Sequence, residues 1–155
     1  MRLHISTFVV ALLVLTAGCT FNPSEPTADQ WDRTPDHSLT EKSIPETPDN
    51  LTHKNVVAFA KQVEEAYKWN RELTNQTIEL SVGVVEEELV NTTDAGYIVR
   101  LELEAKKTYI EDGNRLASDD FYTTYYFIND SSIYRIRSDG NESVPDPRNG
   151  EHIRE

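Results

Sequence analysis

The sequence predicts an α+β fold in which one long N-terminal helix packs on a four-stranded antiparallel meander sheet. Two changes in the apolar pattern carry this prediction. Apolar residues recur at steps of three and four between residues 53 and 74, which is typical of an amphipathic helix. After residue 77 they alternate with polar residues in four successive segments, which indicates strands that pair with their neighbours in the chain.

The helix is expected to begin after Thr52, because threonine caps helix N-termini by accepting a backbone N–H. Its apolar stripe includes Val63, Tyr67 and Leu73. We expect these three side chains to face the sheet, since residues at such spacing share one side of a helix.

Short polar turns separate the four predicted strands. Consecutive Val84-Val85 indicates a bulge in the first strand, and Asp112-Gly113 is typical of a hairpin turn after the second. A tight turn at Asp130-Ser131 is expected to join the third strand to the fourth. The predicted strands cover residues 78–89, 97–105, 121–128 and 132–137.

Charge and cysteine content exclude several classes of protein. The 155 residues contain 15 Lys and Arg against 27 Asp and Glu, a formal net charge of -12. This excess of acid argues against nucleic-acid binding, which requires clustered positive charge. One cysteine forms no internal disulfide, and the four scattered histidines lack the spacing of a zinc site. We therefore predict no cofactor and no metal.

Residues 1–18 have the layout of an export signal, with Arg2 followed by the apolar run Ile5 to Leu15. The run is too short for the ~20 residues that a membrane-spanning helix needs. The string from Leu15 to Cys19 resembles the lipobox of prokaryotic lipoproteins, which implies that Cys19 is lipid-modified and becomes the new N-terminus. The alternative is a plain secretory signal followed by an incidental cysteine. We expect a lipid-anchored protein on the extracytoplasmic face of the cell membrane.

Composition divides the remaining chain into three parts. Residues 19–49 are rich in Pro, Ser, Thr, Asp and Glu and are expected to form a disordered tether. Residues 50–140 have the pattern of a globular domain, and residues 141–155 have that of a polar C-terminal tail. Trp31 stands out in the tether, either as an exposed aromatic or as a plug that docks on the domain.

Five Asn-X-Ser/Thr sequons are candidates for N-glycosylation, which agrees with export. Most of them fall at predicted turns or element boundaries, where a glycan is accommodated. The candidates are Asn50, Asn75, Asn91, Asn129 and Asn141.

Catalytic residues are scarce in the predicted domain. No histidine falls within the strands, and no nucleophile elbow or phosphate-binding glycine loop occurs. Only carboxylates, such as Asp119-Asp120 and Glu86 to Glu88, suit acid–base chemistry or a hard cation. We therefore favour a binding or interaction module of the cell envelope. The alternative is a small carboxylate-dependent hydrolase or isomerase with a pocket between helix and sheet.

A partner-binding surface is predicted from the register of the last two strands. The turn pairs Tyr126 with Arg135, and Tyr122 and Arg137 fall on the same face. We place these four residues on the outer face, away from the helix, where they would form a basic island. Tyrosine and arginine are enriched in binding hot spots, so an acidic envelope protein or an anionic glycan is the expected partner. The alternative is an ordinary solvated sheet face.

The lipobox, the acidic tether and residues 55–67, 96–101, 126–129 and 145–148 carry a likeness to a known group of proteins. Over roughly residues 15 to 150, the chain resembles the small, uncharacterised lipoproteins of halophilic archaea. The resemblance implies an envelope location in a high-salt medium, where acidic surfaces support solubility. The order of helix and strands is also similar to cystatin-like and nuclear-transport-factor-2-like folds.

Overall fold

One α-helix and five strands are the main elements of the residues that the structure describes. The computed structural model describes residues 39–138 and 143–154. The strands pair antiparallel in chain order, so the predicted α+β meander is confirmed, but its sheet has five strands rather than four. The elements are α1 (His53–Glu72), β1 (Thr77–Thr93), β2 (Gly96–Glu111), β3 (Asn114–Ile128), β4 (Ile133–Ser138) and β5 (Glu151–Arg154).

Helix α1 begins as predicted. The Thr52 hydroxyl accepts a hydrogen bond from the Asn55 backbone N–H, and the Asn55 side chain accepts one from the Thr52 N–H. This reciprocal pair satisfies two N–H groups at the start of the helix. The helix then buries one side, on which Val56, Ala60 and Val63 are fully inaccessible to solvent.

The long hairpins follow the predicted turns and bulge. The register between β1 and β2 shifts between Val84 and Glu86, which confirms the bulge. Asp112 and Gly113 have φ angles of 50° and 78° and join β2 to β3. Two consecutive positive φ angles suit the twist of a two-residue hairpin. Strand β3 begins at Asn114, seven residues earlier than predicted, because it pairs with β2 down to this turn.

The main core lies between α1 and one face of the sheet. It joins the helix to apolar side chains of the three strands that follow β1, and it contains no buried side-chain nitrogen or oxygen without a partner in the part of the chain that the structure describes. Burial of this apolar surface is the main stabilising contribution to the fold. Its members from the sheet are Val99, Leu101, Leu103, Tyr122, Tyr126, Ile128 and Ile133.

The C-terminal residues are not the plain polar tail that we predicted. A 3₁₀ helix at Pro147–Asn149 precedes β5, and Pro147 is buried. Arg148 stacks over the ring of Phe127, 5.5 Å from its centroid, on the sheet face opposite α1. At Gly150 a Cβ atom would lie 2.0 Å from the carbonyl oxygen of Arg135, so only glycine permits this close approach.

Part of the predicted tether is also bound to the domain. Residues 39–49 have no helix or strand, but the Trp69 indole N–H donates to the carbonyl oxygen of Thr40 over 2.8 Å. Arg154 of β5 donates to the carbonyl oxygens of Ile44 and Pro45 over 3.1 and 2.8 Å. Residues 40–45 therefore contact the domain, although we predicted them to belong to the tether. The predicted signal, Cys19, Trp31 and the rest of the tether lie outside the described residues.

Candidate functional site

A carboxylate is buried between the helix and the sheet. Glu64 of α1 is fully inaccessible to solvent, and Arg135 of β4 donates to both of its oxygens, from Nε over 2.6 Å and from Nη2 over 2.8 Å. The hydroxyl of Tyr122 donates to one oxygen over 2.7 Å, and the hydroxyl of Tyr126 donates to the other. Four donor atoms on three residues therefore saturate the carboxylate. We call these three residues and Glu64 the Glu64 network.

The surroundings keep the donors of this network protonated. Burial raises the pKa of Tyr126 and Tyr122, and the negative charge of Glu64 raises both further. Burial lowers the pKa of Arg135, but its hydrogen bond and ion pair with Glu64 outweigh this and raise it overall. Neither tyrosine therefore supplies a phenolate base near neutral pH.

The predicted register is confirmed, but the predicted face is wrong. Tyr126 pairs with Arg135 and Ile128 with Ile133, as expected. These residues face α1, however, and Tyr122, Tyr126 and Arg135 are 7, 0 and 8% exposed. Of the four predicted partner-binding residues, only Arg137 has an exposed side chain, at 44%. The outer basic island that we predicted therefore does not exist.

Sequence reasoning missed Glu64, although a signal for it was present. Glu64 lies four residues after Ala60, within the apolar stripe of the helix, and an acidic residue in such a stripe needs a buried cation. Arg135 is the cation that the strands provide. Glu64 on the helix and Arg135 on the sheet, considered together, would have predicted that the sheet face carrying Arg135 packs against α1.

Above the network lies an open cleft of about 340 Å³ between the C-terminal half of α1 and strands β4 and β5. Lys68 lies on its wall and pairs with Glu72 and with Asp120, each over 2.8 Å. Asp120 also binds Arg137 over 3.0 and 3.1 Å. Burial raises the pKa of Asp120, but the hydrogen bonds from Arg137 and Lys68 outweigh this and hold it below its usual value. The cleft is lined by Tyr67, Lys68, Arg71, Glu72, Arg135, Arg137 and Glu151.

A second depression lies on the opposite face of the sheet. It has a volume of about 490 Å³, and its lining includes two exposed apolar side chains, Val85 and Phe121, at 68 and 66%. Arg100 also lines it, paired with Glu102 and lying 3.9 Å from Glu86. The 3₁₀ helix covers only the other end of this face, near Phe127.

The two histidines of the described residues both contact tyrosine rings. The ring of His53 meets Tyr97 edge to face, with centroids 5.7 Å apart, and that of His152 stacks on Tyr134 at 4.5 Å. Within residues 39–138 and 143–154, no three His, Cys, Asp or Glu side chains are placed to hold a metal ion. In the same residues, no helix is both long and apolar enough to cross a membrane.

Comparison with protein-family models, with curated proteins and with solved structures gives no match.

The four described sequons differ in accessibility. Asn50, Asn75 and Asn91 are exposed, before α1, in the turn after it and on β1. Asn129 is half-buried in the turn between β3 and β4, where its Oδ1 accepts from the backbone N–H groups of Ser131 and Ser132 over 3.0 and 2.8 Å. Asn141 lies outside the described residues.

This difference predicts which sequons carry glycans in a host that glycosylates exported proteins. We expect modification of Asn50 and Asn75, whose side chains are open to solvent, and none at Asn129, whose amide stabilises a turn. Glycopeptide mass spectrometry of the native protein measures the occupancy of each site. A glycan at Asn129 with Asn50 and Asn75 bare would contradict the expectation.

Proposed function

We propose that the chain is a lipid-anchored binding module on the extracytoplasmic face of the cell membrane. The anchor is Cys19, and the tether beyond it holds the domain away from the bilayer. The domain itself is a helix-on-sheet layer of the cystatin-like or nuclear-transport-factor-2-like kind. Such layers serve many functions, so the proposal depends on the residues of this chain.

The saturated state of Glu64 is the observation that favours binding over catalysis. A general acid or base needs a free proton or lone pair within reach of a substrate. Glu64 is fully buried, and its oxygens accept from Arg135, Tyr122 and Tyr126. A substrate would have to break these charge-assisted hydrogen bonds before it reached the carboxylate.

The hydrolase or isomerase alternative has less support for the same reason. Its carboxylate would have to line a pocket beneath the helix and be free to act there. Glu64 does not line the cleft, and the two carboxylates that do, Glu72 and Glu151, lie against Lys68 and Arg71. Asp120 lies beside the cleft but is held by Lys68 and Arg137. Glu64 and Asp120 both stabilise the fold in our account.

The acidic surface supports the halophilic setting that we propose for this module. A formal charge of -12 on 155 residues causes self-repulsion at low ionic strength. In concentrated salt the Debye length falls to about 3 Å at 1 M, which screens the repulsion between exposed charges. Buried pairs such as Glu64 with Arg135 are screened much less.

Replacement of the anchor residue tests the proposal. Cys19→Ser is expected to move the protein from the membrane fraction into the medium, because serine cannot carry the thioether-linked lipid. Immunoblots of fractionated cells measure the distribution. Thr20→Ser is the matched control and should stay with the membranes. Unchanged membrane retention of Cys19→Ser would refute the anchor.

A further inference from the structure

A carboxylate of the chain itself occupies the cleft between α1, β4 and β5. Glu151, the first residue of β5, accepts a hydrogen bond from the Tyr67 hydroxyl and has an oxygen 3.9 Å from Nη1 of Arg71. Arg71 also donates to the Tyr67 hydroxyl over 3.1 Å. The cleft therefore already holds a carboxylate against a phenol and a guanidinium.

The pair of Glu151 and Arg71 is the exchangeable part of this charge cluster. Their side chains are 48 and 63% exposed, whereas those of Lys68 and Arg135 are each 9% exposed and are held by other carboxylates. Exchange of Glu151 for an external carboxylate keeps the charge of the cluster unchanged. It therefore leaves the guanidinium of Arg71 next to a carboxylate.

The position of Glu151 in the strand makes such an exchange simple. Strand β5 has four residues, and Glu151 lies opposite Arg135 at its beginning, directly after Gly150. Rotation of the Glu151 side chain, which is 48% exposed, would vacate its position beside Tyr67 and Arg71 without breaking the β4–β5 backbone pairing. Burial and the hydrogen bond to Glu151 both raise the pKa of Tyr67, so its hydroxyl stays protonated and able to donate.

We propose that this cleft binds a carboxylate side chain of an acidic peptide segment, and that Glu151 occupies the site until the ligand replaces it. This inference rests on the proposal that the chain is a binding module. A peptide fits better than a sugar acid, because the carboxylate found in the cleft is a glutamate carried on an extended strand. The volume of about 340 Å³ is at the small end for ligand sites and suits one or two side chains.

Titration of the purified full chain with a capped tetraglutamate peptide tests the site. Glu151→Ala is expected to tighten binding about fivefold, because it removes a competing exposed ion pair. Arg71→Gln is expected to weaken binding about fivefold or more, since it removes the exposed guanidinium. Both residues are exposed, so both variants should fold. Glu46→Ala, an exposed change away from the cleft, is the matched control and should bind like the parent.

Four results would each overturn the proposal. The first is binding of tetraglutamate by Glu151→Ala no tighter than by the parent, and the second is equally tight binding by Arg71→Gln. The third is equally tight binding of capped tetraglutamine, which would remove the need for charge. The fourth is binding of glucuronate in place of the peptide, which would assign the cleft to a sugar acid. None of these titrations depends on Cys19, so failure here is distinct from failure of the anchor.

Discussion

Arg135→Met is expected to lower the free energy of unfolding by about 3 to 5 kcal/mol, because it leaves the buried Glu64 carboxylate without its cation. Two tyrosine hydroxyls alone do not compensate a charge that is fully removed from water. Equilibrium unfolding in denaturant measures the change. Arg71→Met is the matched control, since Arg71 is exposed and its Nη1 lies 3.9 Å from a carboxylate oxygen of Glu151. The control should change the free energy by no more than about 1 kcal/mol.

Replacing all four residues of the Glu64 network with apolar ones tests whether the loss of stability in Arg135→Met comes from the unpaired carboxylate. A variant with Glu64→Leu, Arg135→Met, Tyr122→Phe and Tyr126→Phe removes every polar group together and should recover much of the lost stability. Parent-like stability of Arg135→Met alone would contradict the account. It would mean that the Glu64 carboxylate finds another partner or reaches water.

Val63→Asp is expected to destabilise the fold by about 3 kcal/mol or more, because it places an unpaired charge where α1 meets the sheet. Val63 is fully buried within the main core. Thermal unfolding followed by circular dichroism measures the loss. The matched control is Ala58→Asp, at an exposed position of the same helix.

The two aspartate variants should differ clearly in melting temperature. Ala58→Asp puts the charge in water and should melt close to the parent. If Val63→Asp melted at the same temperature as Ala58→Asp, the helix would not be docked on the sheet through this residue.

Local patterns predicted the elements of the fold that depend on neighbouring residues. The Thr52 cap, the bulge after Val84, and the pairing of Tyr126 with Arg135 follow from capping, alternation and turn chemistry. Strand β5 was missed because its four residues contain one strongly apolar side chain, Ile153, and its pairing depends on contacts formed only in the fold.

The face of the sheet could not be predicted from the strands alone. Strand β3 has aromatic residues on both sides, with Tyr126 facing the helix and Tyr125 and Phe127 on the opposite face, and all three are buried. Alternation therefore does not distinguish the faces. The more apolar pairs formed by Tyr125 and Phe127 favour their face as the core, whereas Glu64 on α1 makes burial of Arg135 possible.

The proposal that this domain works from the membrane surface is tested most directly by the mass of its N-terminal peptide. Protein extracted from membranes of its host should yield a peptide that begins at Cys19 and carries the mass of a lipid modification. A peptide that begins elsewhere, or an unmodified Cys19, would contradict the proposal.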